Sequence, residues 1–310
     1  GQITVSGPEA ARLMQKLTSN DVTELGRGDS HYSMILDEEG TILDDTVVYR
    51  LPEGDDAEYL FVPNAGHDEQ MYERWTDHRD EWDLDATVEN VTDEYAMYAV
   101  QGPDAPDLVS DAADDSVIDL SKFEGRYAEF AGADCWTART GYTGEDGFEL
   151  LVPVESAEAV WDLLECQPCG LGSRDTLRME MGFLLSGQDF DAKDDPRNPY
   201  EAGVGWTVKL DTEFVGRDAL EQASEEGTDD EFVGIKLVDR GVPRHGYDVT
   251  DTDDRVIGEV TSGTMSPTLG EPIALGYVPS DFADSGTVVR VVVRGQSKKA
   301  KIANTPFLND

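Results

Sequence analysis

The hydrophobic residues along the first two thirds of the chain follow both helical and strand spacing. Residues 8–16 are predicted to form a short helix, because a proline stands in the first turn and the apolar residues lie on one side of the helix (Ala10, Leu13, Met14 and Leu17). The same spacing predicts further helices over residues 66–80, 106–112, 156–164, 174–181 and 216–222. Strands are predicted over residues 32–36, 46–51, 59–62, 87–91, 95–100, 135–139 and 148–152. Because these elements mix without regular βαβ alternation, we expect an α+β fold with antiparallel pairing.

The pattern changes after residue 214. A polar stretch over residues 223–230 is typical of a linker. Beyond it, turns rich in Gly, Pro, Ser and Asp separate short apolar runs at residues 232–238, 256–261, 273–278, 288–293 and 299–302. This spacing predicts a small all-β barrel or sandwich. The predicted organisation is therefore a region over residues 1–214, a helix and linker over 215–230, and a β domain over 231–310.

The charge balance adds information about the environment. The 310 residues include 66 Asp plus Glu against 24 Lys plus Arg, which gives a formal net charge of −42. The acidic residues are spread along the chain in short groups, such as Asp114-Asp115 and Asp253-Asp254, rather than in one tail. Such self-repulsion is relieved when molar salt shortens the Debye length to about 3 Å. We expect a cytoplasmic protein of a halophile, and an acidic mesophilic protein is the alternative.

Several functional classes lack their sequence features. No run approaches the ~18 apolar residues of a membrane span, and no basic cluster suits nucleic acid. The four histidines and the Cys166-Cys169 pair lack the spacing of a metal site, so we expect no metal and interpret the cysteine pair as an ordinary loop. A nucleophile elbow and a phosphate loop are also absent. Gly1 is not an initiator methionine, so we expect the sequence to begin inside a longer protein.

One unusual string places two carboxylates at the beginning of an apolar strand. Residues 40–49 read G-T-I-L-D-D-T-V-V-Y, and the acidic turn over residues 37–40 before them predicts a hairpin with the preceding strand. Adjacent strand residues face opposite sides, so one of Asp44 and Asp45 should face solvent and the other should face inward. An inward carboxylate needs a hydrogen-bonding partner. Simple termination of the turn is the alternative interpretation.

Two further strings combine glycine with charge. Residues 139–150 read R-T-G-Y-T-G-E-D-G-F-E-L, and a glycine-rich bend of this kind permits close approach to a ligand, although a plain turn would explain it equally well. Residues 170–180 read G-L-G-S-R-D-T-L-R-M-E, in which Ser173 is predicted to cap a helix. Arg174 would then lie near the positive end of the helix dipole, which an anionic ligand or a carboxylate partner would justify.

With the string V-P-N-A at residues 62–65, these segments resemble the T-protein (aminomethyltransferase) family of the glycine cleavage system. The family's G-Y-T-G-E-x-G-x-E is met in full over residues 141–149, and its G-L-x-x-R-D-x-L-R-x-E over residues 170–180. Its G-G-x-x-D-D-x-x-V is met over residues 40–48 with Thr41 in place of the second glycine. The resemblance implies a three-lobed, cloverleaf-like fold with a C-terminal β-barrel and tetrahydrofolate in a central hole.

The resemblance also implies a reaction and its residues. An aminomethyl group would pass from the dihydrolipoyl arm of H-protein to tetrahydrofolate, releasing ammonia and forming 5,10-methylenetetrahydrofolate. By position, Asp45 matches the family's essential aspartate, and Asp44 matches its neighbour. Glu149 and Arg174 match folate-binding positions, where a carboxylate suits the pterin edge and a guanidinium suits the glutamate tail. The remaining matches to the folate lining are Tyr32, Val62, Asn64, Tyr142 and Trp206.

Two other functions share this fold. One is a folate-dependent demethylase that acts on a methylated amine or sulfonium compound. The other is a non-catalytic folate-binding protein of iron–sulfur cluster maintenance, whose relatives carry K-G-C-Y-x-G-Q-E. Here residues 139–146 read R-T-G-Y-T-G-E-D, without the cysteine, and the sequence therefore favours the aminomethyltransferase.

Overall fold

The computed structural model of the protein describes residues 1–113 and 117–308. Asp114 and Asp115, one of the acidic pairs noted above, and the last two residues lie outside the described residues. The described chain contains two mixed helix-and-sheet lobes and a closed barrel, so the prediction of an α+β fold is confirmed. No helix in the described ranges is long and apolar enough to cross a membrane.

The first lobe contains a five-stranded antiparallel sheet. Its strands are β1 (Ile3–Ser6), β2 (Ser30–Leu36), β3 (Ile42–Arg50), β4 (Tyr59–Val62) and β5 (Thr87–Asn90). They lie in the order β2-β3-β4-β1-β5, and β2 and β3 form the predicted hairpin. Helices α1 (Ala10–Leu17) and α2 (Asp68–Glu81) cover one face through apolar residues at helical spacing. The buried apolar residues of the two helices include Leu13, Met14, Met71 and Trp75.

The second lobe has a four-stranded sheet. Its strands are β6 (Tyr95–Gln101), β7 (Gly125–Phe130), β8 (Ala133–Ala138) and β9 (Gly147–Pro153), in the order β6-β9-β8-β7. Helices α3 (Ala105–Ala112) and α4 (Ala157–Leu163) pack on it. Two further helices, α5 (Leu171–Met181) and α6 (Arg217–Glu226), follow in the chain. The opposite face of the first sheet meets this lobe, where Tyr49 packs against Trp136.

A closed six-stranded barrel forms the third lobe. Its strands are β10 (Asp230–Leu237), β11 (Tyr247–Thr250), β12 (Val256–Met265), β13 (Pro272–Pro279), β14 (Val288–Val293) and β15 (Gln296–Ala303). Aliphatic side chains from alternate positions of these strands fill its interior. Single-turn 3₁₀ helices occur at Val22–Glu24, Thr92–Glu94, Val154–Ser156, Gly205–Thr207 and Ser280–Phe282.

A buried polar group attaches α5 to the barrel, and we call it the Arg178–Asp189 cluster. Arg178 and Asp189 are both fully buried, and Arg178 Nη1 donates to Asp189 Oδ2 at 2.5 Å. Arg178 Nη2 donates to Ser262 Oγ at 2.6 Å, and Thr261 Oγ1 donates to Asp189 Oδ1 at 2.5 Å. Because opposite charges meet and hydrogen bonds complete the network, the cluster joins these parts without leaving an unpaired buried charge.

Several boundaries differ from the predictions. Strand β3 begins at Ile42 rather than residue 46, so both carboxylates lie within it and pair with β2. Helix α5 begins at Leu171 after Gly170, so the prediction that Ser173 caps it is wrong. Half of the polar stretch predicted as a linker is helical, because α6 continues to Glu226 before Gly227 ends it. Strands β1, β7 and β11 were not predicted, since each is short or mixes polar residues into its pattern.

Candidate active site

The carboxylate pair, Asp44 and Asp45, projects from the two faces of β3. Asp44 shares the helix-covered face and is fully buried, and Asp45 lies on the face that meets the second lobe, where it is partly buried. The prediction that one of the two faces solvent is therefore wrong. The two faces of this strand are covered by different parts of the molecule, so strand alternation separates two buried environments instead of inside from outside.

A single asparagine links the carboxylate pair. The Asn64 side-chain Nδ2 lies 2.7 Å from Asp44 Oδ1 and 2.6 Å from Asp45 Oδ1. The Asn64 backbone N–H donates to Asp44 Oδ2 at 3.1 Å, and the Tyr32 hydroxyl donates to Asp45 Oδ2 at 2.6 Å. Every oxygen of the pair therefore accepts a hydrogen bond, and the Asp45 carboxylate is held in one orientation.

The electrostatics of the pair differ from those of an ordinary aspartate. Burial, followed by the negative charge of Asp44, raises the pKa of Asp45 to about 6, although hydrogen bonds from Tyr32 and Asn64 oppose the shift. Burial and the charge of Asp45 also raise the pKa of Tyr32 well above its ordinary value. Tyr32 therefore remains a protonated donor, while Asp45 exchanges a proton near neutral pH.

Glu149 lies on β9, in the second lobe. Its Oε2 accepts a hydrogen bond from Thr140 Oγ1 at 2.6 Å, and Thr140 Oγ1 is 3.4 Å from the Tyr49 hydroxyl of β3. Burial raises the pKa of Glu149, whereas the Thr140 hydrogen bond and the positive charge of Arg174 act to lower it. Tyr49 and Asp45 are four residues apart on the same face of β3, so Glu149 and Asp45 face one region of the molecule.

Arg174 presents its charge outward from α5. Its guanidinium carbon lies 4.7 Å from the centroid of the Tyr142 ring, and within the described ranges no carboxylate lies within ion-pair distance of it. The Tyr142 hydroxyl donates to the Leu184 carbonyl, and its ring stacks on Phe183 with centroids 5.9 Å apart. The carboxylate partner considered for Arg174 is therefore not found among the described residues, and the cation is available to an anionic ligand.

Aromatic and apolar side chains lie beside the carboxylates. Trp206 is 59% exposed, and its ring stacks on Tyr32 at a centroid separation of 5.9 Å. Val62 pairs with Val47 across β4 and β3, and its side chain is partly exposed. The structure places the eight residues that the sequence singled out in two groups and a neighbouring strand position: Asp45, Asn64, Tyr32 and Trp206 contact one another, Arg174 lies near Tyr142 and Glu149, and Val62 lies on β4 beside β3.

Sequence reasoning missed two residues of this region. Thr140 orients Glu149 from within the glycine-rich string, and a hydroxyl beside that string was the available signal. His67 lies with its Nδ1 3.1 Å from Asp44 Oδ2, and its position three residues after Asn64 was the only indication. Among the residues that the structure describes, no group of three or more His, Cys, Asp or Glu side chains could hold a metal ion. Cys166 and Cys169 are exposed and unpaired in the segment between α4 and α5.

Comparison with known proteins gives the same result over nearly the whole chain. The family described as "GCVT N-terminal domain" matches residues 1–212, and the "Glycine cleavage T-protein C-terminal barrel domain" matches residues 231–309. A "Probable aminomethyltransferase" of Haloarcula marismortui is 65% identical over all of this chain and 85% of its own length. One of Halobacterium salinarum is 58% identical over the same shares, and these haloarchaeal relatives agree with the halophilic source predicted from the charge.

A solved structure extends the comparison to the fold. The crystal structure of glycine cleavage system aminomethyltransferase T from Bartonella henselae is 30% identical, with a TM-score of 0.89. The match covers 99% of this chain and 83% of that one, which supports the three-lobed arrangement expected from the sequence. On the family matches, the relatives and the shared fold, the chain belongs to the glycine cleavage T-protein family.

Proposed function

We propose that the chain is a tetrahydrofolate-dependent aminomethyltransferase of the glycine cleavage system. It takes the aminomethyl carbon from the dihydrolipoyl arm of lipoylated H-protein and transfers it to tetrahydrofolate, releasing ammonia and forming 5,10-methylenetetrahydrofolate. The observation that carries the proposal is the fixed Asp45 carboxylate beside the Tyr32–Trp206 stack, in a chain of the T-protein family.

The unpartnered groups of the site suit the parts of tetrahydrofolate. Glu149 has one oxygen bonded to Thr140, and no described residue donates to the other, which leaves it to accept from the pterin amino group. Trp206 is more exposed than most tryptophans and offers an aromatic surface to a planar ring. Arg174 offers a guanidinium to the anionic glutamate tail. Val62 and Tyr142 complete the proposed lining.

Asp45 is the proposed catalytic residue. Loss of ammonia from the aminomethyl group breaks its C–N bond and leaves a carbon, still bound to the lipoyl sulfur, that carries positive charge. One folate nitrogen attacks that carbon, the C–S bond then breaks to return the dihydrolipoyl thiol, and the second folate nitrogen closes the methylene bridge, with the released proton passing to ammonia. A carboxylate fixed by Tyr32 and Asn64 favours this charge without having to reorient. The rest of the rate enhancement comes from holding the two reactants together. Asp45 must be ionised for this role, so its raised pKa predicts that the rate increases as pH rises through about 6.

The alternative functions have less support. The relatives and the solved structure carry aminomethyltransferase names, and none of those given above is a demethylase. The glycine-rich string also lacks the cysteine of the iron–sulfur-related proteins at residues 139–146.

A substrate comparison tests the proposal directly. The protein would be incubated at molar salt with tetrahydrofolate and either aminomethylated H-protein, dimethylglycine or a methylated sulfonium compound. We expect methylenetetrahydrofolate and ammonia only from the H-protein reaction. Formation of product only from dimethylglycine would show a demethylase, and folate binding without turnover of any donor would show a non-catalytic protein.

A further inference from the structure

His67 occupies the position before α2 but does not cap the helix. The N-terminal cap residue of this helix makes no side-chain hydrogen bond to the backbone, and the His67 ring instead places Nδ1 3.1 Å from Asp44 Oδ2. Asp44 is fully buried, whereas the His67 side chain is 34% exposed. A cation at the N-terminus of a helix is unfavourable, so the placement of His67 calls for a compensating anion.

The charged groups around His67 are mostly negative. Asp44 contacts it from β3, Asp45 acts on it from the other face of that strand, and Asp191 lies near it in the segment between α5 and α6. On α2 itself, Asp68 and Glu69 occupy the first turn. The amino group of Gly1 is the positive neighbour that opposes protonation of the ring. The Asp44 carboxylate is the largest influence on His67, and it raises the pKa of the imidazole. The Nδ1–Oδ2 contact of 3.1 Å is an ion-pair contact, because its geometry does not make it a hydrogen bond.

We propose that the His67 imidazolium is the counter-ion of the carboxylate pair and positions Asp45 through Asp44 and Asn64. The contacts form one path: His67 to Asp44, Asp44 to the Asn64 amide, and the same amide nitrogen to Asp45. His67 does not touch the face on which Asp45 lies, so it is a positioning residue and not a catalytic one. Only its effect on the rate rests on the proposed function.

The charge of His67 changes the net charge around the Asn64 amide. With the imidazolium present, two carboxylates and one cation leave a single net negative charge around the Asn64 amide. Without it, two like charges share one neutral donor, and the pair relieves the repulsion by taking up a proton. Asp45 is the more exposed partner and already has a pKa near 6, so it receives that proton. Removing His67 therefore raises the pH at which Asp45 ionises.

Two titrations followed by nuclear magnetic resonance test the pairing without any activity measurement. The imidazole of His67 is titrated in the wild-type chain and in Asp44→Asn, with the resonance assigned by its loss in His67→Gln. We expect a midpoint above the ordinary value of about 6.5 in the wild type and a fall of about one pH unit or more in Asp44→Asn. An unchanged midpoint would overturn the counter-ion assignment.

The second titration follows the Asp45 carboxyl carbon in wild type, His67→Gln and His67→Lys. We expect the midpoint to rise by about one pH unit in His67→Gln and to return toward the wild-type value in His67→Lys, which restores the charge. His78→Gln is the matched control, because His78 lies on α2 and its ring contacts the Arg74 carbonyl and Trp82 but, within the described ranges, no carboxylate. An Asp45 midpoint that is equal in wild type and His67→Gln overturns the positioning role.

The dependence of the turnover rate on pH then measures how much His67 contributes to activity. In His67→Gln, the rise of the rate with pH should move upward by the same interval as the Asp45 midpoint, which lowers the rate at pH 6 by about fivefold. His78→Gln should keep the wild-type profile. A wild-type chain that transfers no aminomethyl group would refute the proposed function, and the two titrations would still decide the positioning role.

Discussion

The Arg178–Asp189 cluster and the carboxylate pair are both buried polar groups whose hydrogen bonds are satisfied, but they differ in net charge. In the cluster, a fully buried guanidinium and a fully buried carboxylate cancel, and hydroxyl groups of β12 complete the network. Asp175 also pairs with Arg178, but its side chain is 43% exposed and stays in contact with solvent. In the pair, two carboxylates share one neutral amide. Hydrogen-bond satisfaction alone therefore does not distinguish a structural site from a functional one.

The difference in charge has a direct functional meaning. A neutral, fully buried cluster has nothing left to offer a ligand, and its role is to fix α5 against the barrel. A pair with excess negative charge is stabilised by any positive charge that approaches it. Asp45 is partly exposed, so a positive charge that develops on a substrate can approach the pair and balance its excess negative charge.

The largest effect is expected from breaking the cluster on one side. Arg178→Met leaves Asp189 buried without its cation, which should lower the free energy of unfolding by about 3–5 kcal/mol. Denaturant unfolding at fixed molar salt measures this loss. Arg12→Met, which removes an exposed ion pair with Glu9, is the control and should leave the midpoint unchanged. Equal midpoints for the two variants would contradict the structural role.

The next effect concerns the rate. Asp45→Asn keeps the shape of the side chain but removes its charge, so turnover should fall by about 10²-fold or more while folate still binds. Asp44→Asn should lower the rate less, because Asp44 acts only through Asn64 and His67. Steady-state formation of methylenetetrahydrofolate measures both. A larger loss at Asp44 than at Asp45 would reverse the assignment of the two carboxylates.

A smaller effect is expected on folate affinity. Glu149→Gln and Arg174→Ala each remove a charge-assisted contact proposed for folate, which should weaken binding by about 1.5–3 kcal/mol. Calorimetry at molar salt measures the change. Glu145→Gln, an exposed carboxylate of the same string, is the control. Unchanged affinity in both site variants would remove the proposed folate contacts.

The smallest expected effect is on the free energy of unfolding. Asp45→Asn should raise it, whereas Arg178→Met should lower it. The pKa of Asp45 is raised from 3.8 to about 6, so the folded protein binds a proton more tightly than the unfolded chain. That stabilisation is complete below about pH 4 and is lost as pH rises through about 6. A shift of this size represents about 3 kcal/mol, and partial exposure of Asp45 reduces it, so Asp45→Asn should be about 1–2 kcal/mol more stable than wild type at pH 7 and show almost no gain at pH 4. Unfolding curves at both values test this, and a loss of stability at pH 7 would contradict it.

The sequence indicated which residues belong to the candidate site, but it did not indicate how those residues are arranged. Alternation along residues 46–51 identified β3, yet it could not show that the two faces of that strand are covered by different lobes. Which segments cover the two faces is a long-range property. The sequence therefore predicted that one of Asp44 and Asp45 lies inside, but it could not name the hydrogen-bonding partner of the buried carboxylate. The buried environment of Asp44 depends on the start of α2, which lies more than twenty residues along the chain.

The string over residues 170–180 also has contacts that the sequence alone could not predict. Residues 170–180 were interpreted from Arg174 alone, but the later residues Arg178 and Glu180 are fully buried and bond to the barrel. Glu180 accepts a hydrogen bond from Ser266, which lies beyond β12. Helical spacing places Arg174 and Arg178 one turn apart, but the sequence has no local feature that separates a ligand-facing arginine from one that holds two lobes together.

The arrangement of the sheets also affects how the molecules behave when they are crowded. The barrel closes on itself, whereas β2 and β5 are the outer strands of one open sheet and β6 and β7 are those of the other. Outer strands can leave backbone groups that a strand of another molecule could pair with. Acidic side chains lie on two of these strands, Glu89 on β5 and Glu129 on β7, whereas β2 and β6 carry none. At molar salt, long-range repulsion between molecules is screened within about 3 Å, so only charges placed on the strands themselves still oppose such pairing. Intermolecular aggregation should therefore begin at the two open sheets and spare the barrel.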